Sequence, residues 1–129
     1  KFAAAAERAV AAGVLLRRDR VLLLRRPSRG LLGGLWELPN VADAPASALV
    51  GLVRERTGIE VAPGAALGSV RHAFSHIDLR LELVALEDRG GRLATHARSD
   101  AKLCGRADAA QLPLSALMKK VLALSRPSW

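Results

Sequence analysis

The residues best equipped for chemistry fall in "RHAFSHIDLRLELVALE", Arg71 to Glu87, where Phe74, Ser75 and His76 stand together just before an alternating pattern. A serine hydroxyl both donates and accepts hydrogen bonds, and a neighbouring histidine can hold it in one direction. Such a trio can read a hydrogen-bonding edge, or it can plug the end of a strand. The chain has two Phe and two Trp, so an aromatic at a loop tip is a scarce side chain placed deliberately. A second set, Arg25, Arg26, Arg29 and Arg71, flanks the loop-forming segments and offers guanidinium groups for phosphate contacts. His72, His76 and His96 do not make a metal site: histidines four apart suit a helix, and this segment reads as strand. The single cysteine, Cys104, excludes a cysteine cluster and reads as a buried thiol.

Composition narrows the partners. Lys and Arg number 20 against 12 Asp and Glu, giving a formal charge of +8, and that field attracts polyanions, nucleic acid first. Half of the 129 residues are hydrophobic, enough for the core of one compact domain. No apolar run is long enough to span a bilayer, and "KFAAAAERAVAAGVLL" lacks the layout of a signal peptide. The expectation is therefore a cytoplasmic protein with no membrane partner.

The elements that must position these residues follow from periodicity. Arg8 to Leu16 and Val21 to Arg25 flank "RRDR" and read as a hairpin. "RPSRGLLGGLWELPN" is broken by Pro27, Gly30, Gly33, Gly34 and Pro39 and reads as a long apolar loop anchored by Trp36. Pro45 to Thr57 reads as a helix, with Leu49, Leu52 and Val53 on one face and Gly58 as its stop. Ala65 to Phe74 and the alternation of Ile77, Leu79, Leu81, Leu83 and Ala85 give two strands. The polar stretch "THARSDAKLCGRADAAQ" is left without elements. "LPLSALMKKVLAL" closes the chain as a helix striped by Leu114, Leu117, Val121 and Leu122, with Lys119 and Lys120 solvated or facing phosphate.

"GLLGGLWELPN", followed by a helix ending in "ERTGIEV", resembles the strand-loop-helix of Nudix-fold proteins. Together with "RRPSRGLLGGLWELP", the "HAFSH" knot and the final helix, it resembles the C-terminal domain of MutY-type adenine DNA glycosylases. The resemblance implies an α+β fold, a Nudix-like α/β/α sandwich of a mixed sheet with two helices. It also implies a single recognition domain over residues 1–129, taken from a longer glycosylase, as the start at Lys1 without methionine fits. The family removes adenine mispaired with 8-oxoguanine, so the implied partners are duplex DNA containing 8-oxoguanine opposite adenine and a missing N-terminal catalytic domain. That separate domain would carry the catalytic carboxylates and an iron-sulfur cluster; no cofactor is expected in this chain, whose lone cysteine cannot hold one.

Oxidation at C8 turns guanine N7 from an acceptor into an N–H donor and adds a carbonyl, so the reader must present an acceptor. By resemblance Ser75 supplies it, with Phe74 and His76 shaping the loop. A catalytic member needs Mg²⁺ on the carboxylates of G-x5-E-x7-R-E-U-x-E-E-x-G-U. With Gly58 as the late glycine, Gly51 and Leu52 take the places of the Arg-Glu pair, and the later glutamate pair is Glu55 and Arg56. Asn40 stands at the early glycine. The alternatives are a divergent Nudix hydrolase of oxidised nucleoside triphosphates and a protein-interaction module on the same scaffold.

Overall fold

The computed structural model describes residues 6–27, 33–74 and 76–125. A long first strand, β1 (Ala6–Arg17), turns back into β2 (Arg20–Arg25). The turn residues Arg18 and Asp19 both have positive φ, 53° and 61°, the conformation a two-residue hairpin turn needs to follow the strand twist. The apolar loop then yields two short strands, β3 (Trp36–Glu37) on β2 and β4 (Asn40–Ala42) on β1. After helix α1 (Ala48–Thr57) come β5 (Val61–Phe74), β6 (Ile77–Asp88), β7 (Ala101–Cys104), the short α2 (Arg106–Ala110) and α3 (Ala116–Ser125).

These strands form one mixed seven-stranded sheet ordered β3-β2-β1-β6-β5, with β4 also on β1 and β7 also on β2. β1 and β6 pair in parallel from Ala6 with Ile77 to Leu15 with Leu86, and the remaining pairs are antiparallel. Where these two strands meet, a Cβ at Gly13 would lie 2.5 Å from Leu86 Cδ1, so a larger residue there would displace the Leu86 side chain. Alternate residues of the inner strands feed two cores. Ala12, Val14, Val21, Leu23, Leu81 and Leu83 pack with Leu117, Met118, Val121 and Leu122 of α3. Ala11, Leu15, Leu22, Leu24 and Leu86 pack with Leu49 and Val53 of α1. Helices on both faces of a mixed sheet make the expected α/β/α sandwich, each buried Leu or Val contributing about 1.5–3 kcal/mol.

Four expectations are corrected. The first helix begins at Ala48 rather than Pro45, because the Ala48, Leu49 and Val50 N–H groups bond the carbonyls of Pro45, Ala46 and Ser47, a tight entry turn. Its end is as expected: Gly58, at φ 84°, closes it by donating to the Arg54 carbonyl. The strand expected from Ala65 starts at Val61, since β5 is an edge strand whose irregularities between Pro63 and Gly68 absorb the proline. The loop after Arg25 contributes β3 and β4. The polar stretch holds β7 and α2, the latter joining the two expected helices, α1 and α3.

Candidate nucleic-acid interface

The β5–β6 hairpin closes on the pair Phe74 and Ile77 through a connection of two residues that ends in His76. A loop this short is aimed by its strands, and β6 is held along its length by β1 on one side and β5 on the other. His76 is exposed at the tip. Ser75 and Arg29 lie outside the described residues, as does the side chain of Phe74.

A cavity of about 290 Å³ opens beside this tip. Ile77, Leu79 and Leu81 line it from β6, Arg8 and Val10 from β1, and Asn40 from β4, while Arg26, Glu37, Ser115 and Met118 close it. Its polar groups are held in place. The Arg26 guanidinium bonds the Glu37 carboxylate at 3.1 Å, and the Asn40 side-chain N–H donates to the Leu38 carbonyl at 2.8 Å. Ser115 Oγ accepts from the Met118 N–H at 3.1 Å at the start of α3.

Arg26 also lines a neighbouring cleft of about 680 Å³ with Arg25, Pro27, Gly34, Arg56 and Asp100. Arg25 is tied to Asp100 Oδ1 through Nη2 at 2.8 Å and Nε at 3.0 Å, and its guanidinium lies 5.8 Å from the centre of the Trp36 ring. Trp36 itself is 5% exposed, the packing anchor expected. Arg56 Nη2 donates to the Arg25 carbonyl at 3.2 Å, and among the described residues no carboxylate pairs with it. Arg25 and Arg26 are thus brought together, each facing a carboxylate, and Arg56 leaves the cleft net positive.

Arg71 is not part of this grouping. Val70 packs against the α3-side core, so Arg71, one residue further along the strand, projects from the opposite sheet face. It is exposed, across the ladder from Arg80. His72 Nδ1, by contrast, sits 3.0 Å from Lys120 Nζ of α3.

The donors do not fit an octahedral Mg²⁺ site. Of the signature helix positions, Gly51 is exposed, Leu52 packs against the α1-side core, Glu55 is exposed, and Arg56 turns into the cationic cleft. Among the described residues no three His, Cys, Asp or Glu side chains are grouped to hold a metal ion. Cys104 is 2% exposed and burial pushes its thiol pKa up, away from the thiolate that nucleophilic chemistry requires. Among the described residues the cationic groups turned into this cleft are guanidinium groups, whose geometry suits phosphate oxygens.

Sequence reasoning missed Arg8, Glu37 and Ser115. Arg8 reaches the cavity only because β1 lies parallel to β6, with Arg8 opposite Leu79, a pairing with no local signal. Arg56 had a signal, the basic residue where the signature has an acid.

The NUDIX domain family profile matches residues 11–124. The adenine DNA glycosylase of Rattus norvegicus is 33% identical over 107 residues, covering 78% of this chain and 21% of that protein. The chain thus spans about a fifth of the length of the curated glycosylases it matches. The CTP pyrophosphohydrolase of Escherichia coli is 30% identical over 110 residues and 82% of each chain. In the crystal structure of the complex between the C-terminal domain of mouse MUTYH and human PCNA, a chain superposes with a TM-score of 0.69 at 26% identity. That match covers 94% of this chain and 88% of the other. No helix among the described residues is long and apolar enough to cross a membrane.

Proposed function

The chain belongs to the NUDIX domain family, and on that premise we propose that it is a non-catalytic recognition domain of an adenine DNA glycosylase, reading 8-oxoguanine opposite adenine in duplex DNA for base-excision repair. The observation that carries the reading is Arg56, a cation facing the cleft where a hydrolase would hold a metal-binding carboxylate. A site of that sign holds phosphate directly and does not hold Mg²⁺. The similarity to adenine DNA glycosylases supports the choice of pathway. In this reading the rest of the glycosylase supplies the chemistry and the iron-sulfur cluster, Ser75 meets the oxidised base, His76 and Phe74 shape the loop, and the Arg25, Arg26 and Arg56 cleft receives the backbone. Arg29 belongs to the same phosphate-contacting set; Arg71 would reach phosphate only from the other face of the sheet.

Ser75→Ala tests it. Fluorescence anisotropy with duplexes carrying 8-oxoguanine or guanine opposite adenine should show the preference for the lesion falling by about 1 kcal/mol, a factor of roughly five. Affinity for the undamaged duplex and thermal stability should stay unchanged. A preference that survives the substitution overturns the role of Ser75.

A second reading, a divergent hydrolase of oxidised nucleoside triphosphates, is favoured by the similarity to the pyrophosphohydrolase over most of both chains. Mg²⁺-dependent pyrophosphate release from 8-oxo-dGTP by this chain would establish it against the first.

A further inference from the structure

Two clefts of about 1130 and 700 Å³ share Arg17, Arg20, Arg92 and Leu103, and so form one groove at the end of the sheet where β1 turns into β2. Arg17 is committed there: it bonds the two carboxylate oxygens of Asp88 at 2.7 Å and the Gly91 carbonyl at 2.9 Å. Four other arginines on the groove are not. Among the described residues Arg18, Arg20, Arg92 and Arg98 form no ion pair, and all four are exposed. Asp108 is the one further carboxylate among the described residues of its walls, so the groove stays positive once Arg17 and Asp88 have cancelled.

β2 carries this charge toward the cleft at its other end. The strand is exposed only at its termini, Arg20 on the groove and Arg25 in the cleft, with Val21 to Leu24 buried between them. The strand rise puts the two about 17 Å apart, the rise of about five base pairs of duplex. Lys102 of β7 fills the interval. It stands opposite Leu23 in the ladder and is exposed on the groove. Its ammonium lies 5.1 Å from the centre of the Trp36 ring, against which Arg25 also rests at 5.8 Å. The cations of the groove and those of the Arg25, Arg26 and Arg56 cleft are therefore joined along one edge of the sheet.

We propose, on the reading of the cleft as a phosphate site, that the groove is a second phosphate-binding surface: a duplex seated in the cleft continues along the β2–β7 edge, and its backbone also meets Arg20 and Arg92. Guanidinium forks match phosphate oxygens and keep their charge. The partner is held by charge and not by main-chain pairing, because the backbone beneath the rim is covered: Ala101 is 1% and Cys104 2% exposed. An acidic protein segment would find arginines there but no ladder to hold it extended, whereas a duplex arrives with its phosphates already spaced.

The test is Arg20→Gln combined with Arg92→Gln, titrated by anisotropy against an undamaged duplex of about 30 base pairs. Two phosphate contacts contribute about 1.8 to the slope of log affinity against log salt, so between about 50 and 200 mM monovalent salt the native chain should lose about 12-fold more affinity than the variant. Adding Arg56→Gln should flatten the slope by about 0.9 more, and a duplex of about 12 base pairs should saturate at one per chain. Both arginines are exposed and unpaired, so thermal unfolding of the variant should match that of the native chain, which separates a loss of slope from a loss of fold. Flattening by the pair but not by Arg56→Gln supports the groove and refutes the cleft; the reverse overturns the groove and leaves the cleft standing. Two short duplexes bound per chain overturn the continuous path. Polyglutamate that displaces the duplex from the native chain and not from the variant overturns the proposal in favour of an acidic protein. A chain that binds duplex without preferring 8-oxoguanine counts against the role of Ser75 alone, since this duplex carries no lesion.

Discussion

Arg56→Gln separates a phosphate cleft from a solvated basic surface. Arg25 and Arg26 are each countered by a carboxylate, Asp100 at 2.8 Å and Glu37 at 3.1 Å, whereas Arg56 bonds a neutral carbonyl. Its charge is therefore the one most available to a phosphate. Each phosphate neutralised on B-DNA contributes about 0.9 to the slope of log affinity against log salt. Between about 50 and 200 mM monovalent salt, a fourfold change, one contact is worth about 3.5-fold in affinity. Anisotropy titrations with an undamaged duplex, repeated across that range, should show the native chain losing about 3.5-fold more affinity than the variant. The converse substitution, Asp100→Asn, releases Arg25 and should tighten binding at low salt. Stability is the control, because losing one exposed bond to a carbonyl costs under about 1 kcal/mol. Parallel salt plots for native and Arg56→Gln chains would refute the assignment of Arg56 to phosphate.

Two further predictions concern the frame. Gly91, at φ 87°, would place a Cβ 2.6 Å from the Gly58 carbonyl oxygen, backbone against backbone, while Gly90, at φ 102°, would meet nothing. Urea denaturation should show Gly91→Ala costing about 2–4 kcal/mol and Gly90→Ala about 1 kcal/mol, and equal losses would remove the argument from contact. Asp88 is held at a pKa of about 2, below its usual 3.8, chiefly by its hydrogen bonds to Arg17. A depressed carboxylate stabilises above its unfolded pKa and stops doing so as pH falls through the folded one. The stability gap between native and Asp88→Asn chains, about 1 kcal/mol for a bidentate pair, should therefore be full at pH values above about 4 and close between 3.8 and about 2.

Periodicity carried much of the fold into plain view. The β1–β2 hairpin, the β5–β6 alternation and the faces of α1 and α3 are repeated local patterns, and each is legible without its neighbours. β7 was not legible: "AKLC" is four residues inside a polar stretch, and it is a strand only because β2 offers an edge from Val21 to Leu24. Pro63 misled for a related reason, since proline argues against a central strand and only the sheet order reveals β5 as an edge. The site divides in the same way. The basic residue at position 56 is visible as a departure from a motif, but its bond to the Arg25 carbonyl, the ion pairs that occupy Arg25 and Arg26, and the placing of Arg71 on the far face are products of three-dimensional register.

The substitutions along α1 share one physical direction. In a hydrolase of this fold the anionic substrate is held indirectly, carboxylate to Mg²⁺ to diphosphate, and the metal that binds also polarises. Putting leucine at position 52 moves that residue into the α1-side core, which exchanges a ligand for packing. Arginine at position 56 inverts the sign of the cleft, so an anion is met by a guanidinium without a bridging ion. On the proposed reading the class of ligand is retained, a phosphate, while the carboxylates that would hold Mg²⁺ against it are replaced. An arginine cannot lose its proton at any physiological pH, so the cleft stays a binding surface across the pH range in which a carboxylate site would turn over. Binding without turnover is what a domain needs if it must remain on an intact duplex while another part of the enzyme acts, and on this reading the helix that carries metal ligands in a hydrolase of this fold here positions a backbone.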